Sequence, residues 1–307
     1  MKRLVVLAVA LALGVTALPS HAEVRGVPQG SAKIRFAKDF PKLIDHEWLF
    51  QIGGFGGIKK RAPLHHVPVI FVHGNNVDHA DWYPVRDDFK KAGWTDQELW
   101  ALSYNGLGAN NGTALHRDNP ERDAEHTEMG WDGTVRVTSD DVNVPDLYDF
   151  IKAVQAYTGS KKFSIVSHSL GVTLARKTLK VHKELRKDLV AFVGIAGANQ
   201  GTAFCPEETD QVASCNEIAA GTKWLADLNG PNGSDETFKP AKWMTVYDGS
   251  GYGDPAYPGP TYAQSSALKG ALNKQFPGTY HNDLRIDPDI VTAYRAFLEQ
   301  SERGVKR

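Results

Sequence analysis

The chain has 307 residues, with 35 basic and 36 acidic side chains and a formal net charge of −1. Because the two charges nearly balance, the chain has no electric field of one sign that would attract nucleic acid or an anionic membrane surface. This argues against proteins that bind either of them. The 41% of hydrophobic residues is typical of a globular protein with a sizeable core, and no internal repeat or low-complexity tract interrupts the chain.

The N-terminus has the pattern of a secretory signal. A basic start at residues 1–3 is followed by an apolar run over residues 4–18 and by small residues at Ser20 and Ala22. The alternative is a membrane anchor, but about 15 apolar residues are fewer than the roughly 20 that cross a bilayer as a helix. We therefore predict cleavage after Ala22, no stable membrane anchoring, and secretion to the periplasm or the medium. No Pro- or Ser-rich linker divides residues 23–307, which predicts a single domain.

Along this domain, short apolar runs alternate with segments of helical spacing. The predicted strands are residues 67–73, 99–104, 163–166, 190–195 and 243–247. The predicted helices are marked by Val85 and Phe89 before Gly93, by Leu147, Ile151 and Val154 before Gly159, and by Leu174, Leu179 and Leu185. This alternation predicts an α/β fold, with a mostly parallel central sheet and helices on both faces. Ligands of such sheets bind beyond the carboxyl ends of the strands.

A serine stands where one predicted strand turns into a helix. Ser169 lies in the sequence Ser-His-Ser-Leu-Gly at residues 167–171, directly after the third predicted strand. Small residues on both sides of a serine in this setting are typical of a nucleophile elbow, although Ser167 replaces the usual first glycine. The alternative interpretation is a serine that caps the N-terminus of the helix.

A serine nucleophile needs a histidine base and an acid that orients it, and both follow in workable order. His281 is the candidate base, because His182 lies on the helix behind the serine and is better interpreted as a solvated helix residue. Asp254, in the loop after the fifth predicted strand, is the candidate acid. Asp248 in the same loop is the alternative, and is also suited to bonding backbone amides in a turn.

Acyl transfer also requires backbone N–H groups that stabilise an oxyanion. The loop after the first predicted strand reads His73-Gly74-Asn75, and Gly74 would allow a close approach of the backbone. We predict that the N–H groups of Asn75 and Leu170 form the oxyanion hole. His73 is interpreted as a structural histidine that fixes this loop.

Two cysteines, Cys205 and Cys215, lie in the exported part of the chain. An oxidising compartment favours a disulfide between them, and closing so short a loop should contribute roughly 2 to 3 kcal/mol. A catalytic cysteine is the less favoured alternative, because neither follows a strand-turn pattern or has a histidine nearby.

Five blocks of the sequence resemble a known family. They are VIFVHGNN, FKKAGWTDQELWALSYNG, AYTGSKKFSIVSHSLGVTLA, FVGIAGANQGTAFC and GTYHNDL, and they extend from about residue 67 to about residue 298. The chain resembles α/β-hydrolases of the class 2 lipase type, and is most similar to the lipase-like extracellular polyhydroxybutyrate depolymerases. The resemblance implies an α/β-hydrolase fold, a triad of Ser169, Asp254 and His281, an ester or polyester substrate and no metal cofactor.

The resemblance is weakest over residues 201–240, where such enzymes vary the region that covers the substrate. This segment is predicted either to form a lid or to be a surface excursion held by the disulfide. Four tyrosines flank the candidate acid and base, and could form an aromatic wall or simply pack the loops: Tyr252, Tyr257, Tyr262 and Tyr280.

Other polar clusters are assigned no chemistry. Residues 116–128 contain His, Asp and Glu without a recognised metal-ligand spacing, within a run from 106 to 142 that we predict to be a long exposed connection. His65 and His66 are interpreted as a solvated pair. The sequence thus predicts a secreted serine hydrolase of carboxylic esters, with a polyhydroxyalkanoate depolymerase as the alternative substrate class. A catalytically silent hydrolase fold that binds a partner is the alternative of another class.

Overall fold

Strands and helices alternate along the chain, as the sequence predicts. A computed structural model describes residues 34–41, 54–75, 77, 79–103, 127–129, 135–137, 139–205 and 213–306. The strands in these residues are β1 (Gly54–Phe55), β2 (Val69–Val72), β3 (Leu99–Leu102), β4 (Thr127–Met129), β5 (Val135–Val137), β6 (Phe163–His168), β7 (Leu189–Ile195), β8 (Lys242–Tyr247) and β9 (Leu272–Gln275). The helices are α1 (Tyr83–Lys91), α2 (Asp140–Thr158), α3 (Leu170–Val181), α4 (Ala213–Ile218), α5 (Lys223–Asn229), α6 (Gly259–Tyr262), α7 (Asp283–Ile286) and α8 (Pro288–Ser301).

Seven of the described strands form one sheet, in the order β1-β3-β2-β6-β7-β8-β9. Every neighbouring pair is parallel except β1 and β3, which run antiparallel. The predicted mostly parallel sheet is therefore confirmed. The chain leaves β2 towards β3 on one side and leaves β6 towards β7 on the other, so the strand order reverses between β2 and β6. The crevice beyond the carboxyl ends of these two strands is where such a sheet binds its ligands.

Hydrophobic residues cover both faces of the sheet because successive side chains of a strand point in opposite directions. Along β2, Val69 and Phe71 belong to one hydrophobic core, together with side chains of α1 and α8. Ile70 and Val72 belong to a second core, together with side chains of α2 and α3. The fully buried run of β2 is typical of a strand with helices on both faces.

The predicted helices form, with one difference at the third. α1 ends two residues before Gly93 and α2 ends directly before Gly159, and both glycines have positive φ, as helix-terminating glycines do. The third helix, α3, ends at Val181. Leu185 lies instead in a separate 3-10 helix, Lys183–Leu185, so its assignment to the third helix was wrong.

The connection predicted from residue 106 to residue 142 differs from expectation where it is described. β4 and β5 pair antiparallel, with Thr127 opposite Val137, and α2 already begins at Asp140. Residues 116–126 of the polar cluster in this connection lie outside the described residues. The same is true of the predicted signal peptide, residues 1–22.

Residues from Ile34 to Arg307 form one compact unit. Among the helices described, none combines the length and the apolar character needed to span a membrane. The predicted disulfide between Cys205 and Cys215 is confirmed, with a Cα–Cα distance of 5.0 Å.

The described part of segment 201–240 is attached to the rest of the fold by buried polar contacts. Arg176 of α3 is fully buried and donates to the side-chain oxygens of Asn199 (3.1 Å) and Asn229 (2.7 Å), so it joins α5 to α3. Glu217 of α4 accepts hydrogen bonds from the Ser139 hydroxyl and from the N–H of Asp140, both at 2.6 Å, at the N-terminus of α2.

Candidate active site

Ser169 occupies a strained turn between β6 and α3. Its backbone has φ 55° and ψ −128°, a conformation that residues other than glycine rarely adopt. The Ser169 N–H donates to the carbonyl oxygen of Ile195 at the end of β7, 2.8 Å away. The side chain makes no capping hydrogen bond to α3. The turn therefore does not use the serine as a helix cap, and directs its hydroxyl away from the helix.

Close packing around this turn depends on small residues. A Cβ atom at Gly171 would lie 2.3 Å from the carbonyl oxygen of His73, and one at Gly74 would lie 2.8 Å from the Cβ of Ser169. Both positions therefore require glycine if the loop after β2 is to contact the turn. Ser167, in place of the usual glycine, is fully buried, and its hydroxyl donates to the carbonyl oxygen of Val193 at 3.2 Å.

The structure brings together the three side chains that the sequence singles out. The Oγ of Ser169 lies 3.0 Å from Nε2 of His281, and Nδ1 of the same ring lies 2.8 Å from Oδ2 of Asp254. Asp254 is buried, and its other oxygen accepts the N–H of Ala256 at 2.9 Å. Since a carboxylate only accepts hydrogen bonds, the ring donates from Nδ1, which leaves Nε2 free to accept the serine proton.

Asp248, the alternative acid, bonds to the turn and not to His281. It accepts hydrogen bonds from the Ser250 hydroxyl (2.6 Å) and from the N–H groups of Gly251 (2.8 Å), Gly253 (3.3 Å) and Gly278 (2.5 Å). Burial opposes its ionisation, but these hydrogen bonds together hold the pKa of Asp248 below its usual value. Asp248 thus fastens the loop after β8 to the loop that carries His281.

The predicted oxyanion donors lie on the two segments that meet at Ser169. Leu170 is the first residue of α3, and Asn75 follows Gly74 in the turn after β2. His73, in the same loop, is buried and donates from Nδ1 to the carbonyl oxygen of Gly74 at 2.9 Å. Burial lowers the pKa of His73 to about 3, so the ring is neutral at ordinary pH, and its hydrogen bond to Gly74 lies within the loop.

The four tyrosines near the acid and base do not form one wall. Tyr257 is buried, and its hydroxyl donates to the carbonyl oxygen of Ala196 at 2.7 Å, with its ring 6.1 Å from that of His281. Tyr262 is half-buried, whereas Tyr252 and Tyr280 are 92% and 45% exposed. Packing therefore explains Tyr257, while Tyr252 and Tyr280 face solvent on the loops that carry Asp254 and His281.

The remaining histidines and acids of the sequence analysis lie elsewhere. The interpretation of His65 and His66 as a solvated pair was wrong for His66, which stacks on Trp94 and lies 2.6 Å from Glu302. His182 directly follows the last residue of α3, and its ring centroid lies 3.8 Å from that of Tyr148, on which it stacks, so it is not simply solvated. Among the residues that the structure describes, no three His, Cys, Asp or Glu side chains are grouped to hold a metal ion.

Sequence reasoning did not single out three side chains that lie behind His281. They are His168, Arg285 and Asp81. His168 contacts the segment that carries His281, Arg285 contacts His168, and Asp81 of the 3-10 helix His79–Trp82 contacts Arg285. The only available signal was the position of His168 directly before Ser169. Neither Arg285 nor Asp81 belongs to a motif, because their contacts join segments about 200 residues apart.

Comparison with known proteins identifies a family for the chain. A family model described as Lipase (class 2) matches residues 66–119 and 132–246. No curated protein is similar enough in sequence to be matched with the chain.

Among solved structures, Aspergillus fumigatus lipase B is 16% identical, with a TM-score of 0.51 over 76% of this chain and 52% of that chain. Bacillus licheniformis lipase BlEst2 in its propeptide form is 13% identical, with a TM-score of 0.57 over 80% of this chain and 53% of that one. Its mature form is 14% identical, with a TM-score of 0.50 over 78% and 96%. The chain thus spans about half the length of Aspergillus fumigatus lipase B, and these likenesses establish the α/β-hydrolase fold.

Proposed function

The chain belongs to the class 2 lipase family, and we propose that it is a secreted carboxylic-ester hydrolase whose nucleophile is Ser169. The observation that carries the proposal is the unbroken series of hydrogen bonds from Ser169 through His281 to Asp254, at 3.0 and 2.8 Å. A hydroxyl, an imidazole and a buried carboxylate in this order are the requirements of a serine triad.

The proposed reaction has two halves. Ser169 Oγ attacks the ester carbonyl carbon while Nε2 of His281 takes its proton, and Asp254 stabilises the imidazolium that forms. The N–H groups of Asn75 and Leu170 donate to the oxyanion of the tetrahedral intermediate. His281 then returns the proton to the departing alcohol, which leaves an acyl group on Ser169. Water, deprotonated by His281, releases the acid and restores the serine.

The strained backbone of Ser169 supports catalysis over the alternative of a silent binding protein. A residue with φ 55° costs of order 1–3 kcal/mol, and such strain persists where function requires it. The strained Ser169 also places its hydroxyl 3.0 Å from Nε2 of His281, which fits a nucleophile, whereas the binding-protein alternative gives this contact no role. The alternative would instead leave Ser169 unreactive towards a fluorophosphonate.

Export of the chain is part of the proposal. The basic and apolar residues 1–18 with the small residues at Ser20 and Ala22 predict a signal peptide. The disulfide Cys205–Cys215 supports it, because disulfides persist in oxidising compartments. N-terminal sequencing of the protein recovered from the periplasm and the medium would show whether the chain begins at Glu23.

A polyester is the second candidate substrate, and exposed aromatic side chains support an insoluble substrate, either a polyester or a triglyceride. Phe204, Tyr252 and Tyr280 are 65%, 92% and 45% exposed. Tyr252 and Tyr280 neighbour the candidate acid and base in sequence. Phe204 follows Ala203, whose N–H donates to the carbonyl oxygen of Ala256 in the loop that carries Asp254. Exposed aromatic rings at an active site are suited to contact with an insoluble apolar substrate. A polyhydroxyalkanoate depolymerase would use the same triad.

The decisive experiment compares the purified wild type with Ser169→Ala and the matched control Ser167→Ala. Turbidity loss is followed in suspensions of amorphous poly(3-hydroxybutyrate) and in emulsified tributyrin, and labelling by a fluorophosphonate is measured in parallel. We expect Ser169→Ala to lose about 10⁶-fold in kcat and to lose labelling. Ser167→Ala should keep both, because Ser167 bonds to Val193 and not to His281.

The substrates separate the two candidates. Clearing of the polymer by the wild type but not by Ser169→Ala supports the depolymerase, and clearing of tributyrin alone supports a lipase or esterase. Full activity of Ser169→Ala would overturn the serine mechanism for either substrate.

A further inference from the structure

A second histidine lies directly behind the proposed base. His168, the last residue of β6, is 2% exposed, and its ring centroid is 4.8 Å from that of His281. Its Nε2 lies 3.1 Å from the backbone carbonyl oxygen of His281. The proposed mechanism gives His168 no part in proton transfer, so its contact with the base segment calls for a different role.

The neighbours of His168 determine which ring nitrogen carries the proton. Nη1 of Arg285 lies 3.3 Å from Nδ1 of His168. A guanidinium can only donate, so Nδ1 must accept and the proton must be on Nε2. The Nε2–H then donates to the carbonyl oxygen of His281, which can only accept. Burial, with the nearby His281 and Arg285, also lowers the pKa of His168 well below 6.5 and keeps the ring neutral.

Arg285 is also held by an ion pair. The residue is 6% exposed, and the same Nη1 that faces His168 lies 2.6 Å from Oδ2 of Asp81, in the 3-10 helix His79–Trp82. The backbone carbonyl of Arg285 accepts the Tyr294 hydroxyl at 3.0 Å, which fastens α7 to α8. The Asp81–Arg285 ion pair thus orients the donor that selects the tautomer of His168.

His168 also lies close to the predicted oxyanion loop. A Cβ atom built on Gly74 would lie 3.4 Å from Nδ1 of His168 and 3.2 Å from the carbonyl oxygen of His168. The ring therefore lies near the loop after β2 as well as against the segment that carries His281. Movement of His168 would change the distance between the base and the oxyanion donors. The positions of the base and of the donors must both be set to within a fraction of an ångström.

We propose that His168 is a positioning residue for the catalytic base. Its Nε2–H holds the backbone carbonyl of His281. Arg285, oriented by Asp81, keeps the His168 ring in the tautomer that carries this proton. The proposal rests on the proposed function, because it takes His281 to be the base. His168 does not touch the reacting atoms. Its loss should therefore change kcat and leave KM unchanged.

Two amides of equal polarity test this role. In His168→Gln the amide nitrogen can reach the position of Nε2 and donate to His281, whereas in His168→Asn the shorter side chain reaches only the position of Nδ1. We expect His168→Asn to lower kcat by about 10- to 100-fold with unchanged KM. The kcat of His168→Gln should be at least about tenfold higher than that of His168→Asn. Thermal unfolding of both variants is measured alongside, because a merely structural role would lower activity and Tm equally in both.

Histidine ring NMR of the ¹⁵N-labelled wild type tests the tautomer without any variant. We expect the neutral His168 ring to carry its proton on Nε2, because Nδ1 faces the guanidinium of Arg285 and Nε2 faces the carbonyl oxygen of His281. A proton on Nδ1, or equal kcat in the Asn and Gln variants, would overturn the proposal.

The outcomes also separate this proposal from the proposed function. A wild type that a fluorophosphonate does not label at Ser169 would refute the serine mechanism and the role of His281 with it. Normal labelling together with a wild-type kcat in His168→Asn would refute the positioning role alone.

Discussion

A methyl group at Gly171 should disable the enzyme by pushing two backbone segments apart. A Cβ at this position would lie 2.3 Å from the carbonyl oxygen of His73 and 2.8 Å from that of Val72, whereas ordinary contact begins at 3.4 Å. Both obstacles are backbone atoms and cannot rotate away. In Gly171→Ala, the start of α3 and the loop after β2 must therefore separate by about 1 Å.

This separation acts where the proposed oxyanion hole is assembled. Leu170 precedes Gly171, and Asn75 lies two residues after His73, so the displacement falls between the two predicted N–H donors. A misplacement of about 1 Å can cost about 10²-fold in rate, and overpacking typically costs 1–3 kcal/mol of stability. We expect kcat/KM for p-nitrophenyl butyrate to fall by about 10²-fold and the Tm to fall by several degrees.

Gly194→Ala is the matched control. A Cβ at Gly194, in β7, would lie 3.0 Å from a side-chain methyl of Val172, a buried residue of α3, and this obstacle is a side-chain atom that can shift by a few tenths of an ångström. This variant should lose some stability and keep kcat/KM within a small factor of the wild type. If Gly171→Ala retains wild-type kcat/KM, or loses no more than Gly194→Ala, then the contact between α3 and the loop after β2 does not set the catalytic geometry.

Three further predictions concern the acids and the disulfide. Asp254→Asn should lower kcat by about 10⁴-fold with little change in Tm, whereas Asp248→Asn should lower Tm first, because Asp248 bonds the turn. Replacing Cys205 and Cys215 by serine should lower the free energy of unfolding, measured in urea, by about 3 kcal/mol, since the bond closes a loop with a separation of 10 residues. Burial raises the pKa of Glu217 from 4.5 to about 7. The free energy of unfolding of Glu217→Gln, relative to that of the wild type, should therefore increase by at most about 3 kcal/mol as the pH rises from 5 to 8.

The sign of the Glu217 effect follows from its proton. Between pH 4.5 and 7 the folded chain binds this proton more tightly than the unfolded chain does, so the contribution of Glu217 to stability falls as the pH rises. Gln cannot ionise and lacks this dependence. A difference between the two proteins that does not change from pH 5 to 8 would contradict the buried ionisation. For the triad, equal losses of kcat in Asp254→Asn and Asp248→Asn would contradict the assignment of the acid.

The buried strands could be predicted because burial on both faces makes them continuous apolar runs. β2, β6 and β7 are each fully buried, and their sequences show it. β9 could not be found in this way, because Leu272, Asn273, Lys274 and Gln275 are all exposed on an edge strand. β1 has only two residues, and its pairing with β3 is a long-range contact that leaves no periodicity in the sequence.

Chain order predicted the set of candidate catalytic residues, but it could not decide between the two aspartates. Asp248 and Asp254 lie in one loop of turn-forming residues, and either could face a histidine. The path of the loop distinguishes their contacts: Gly251 and Gly253 fold back so that their N–H groups converge on Asp248. Asp254 is then the carboxylate left to meet His281. Such a path depends on the hydrogen bond that the N–H of Gly278, far along the chain, donates to Asp248, and it is therefore absent from local patterns.

The direction of the strands explains why so many distant segments meet at Ser169. The loop with Gly74 follows β2, Ser169 follows β6, the loop with Asp254 follows β8, and His281 follows β9. These four strands run parallel, so their carboxyl ends lie at one edge of the sheet, and each loop begins there. The strand β7 between them supplies the carbonyl of Ile195 that holds Ser169.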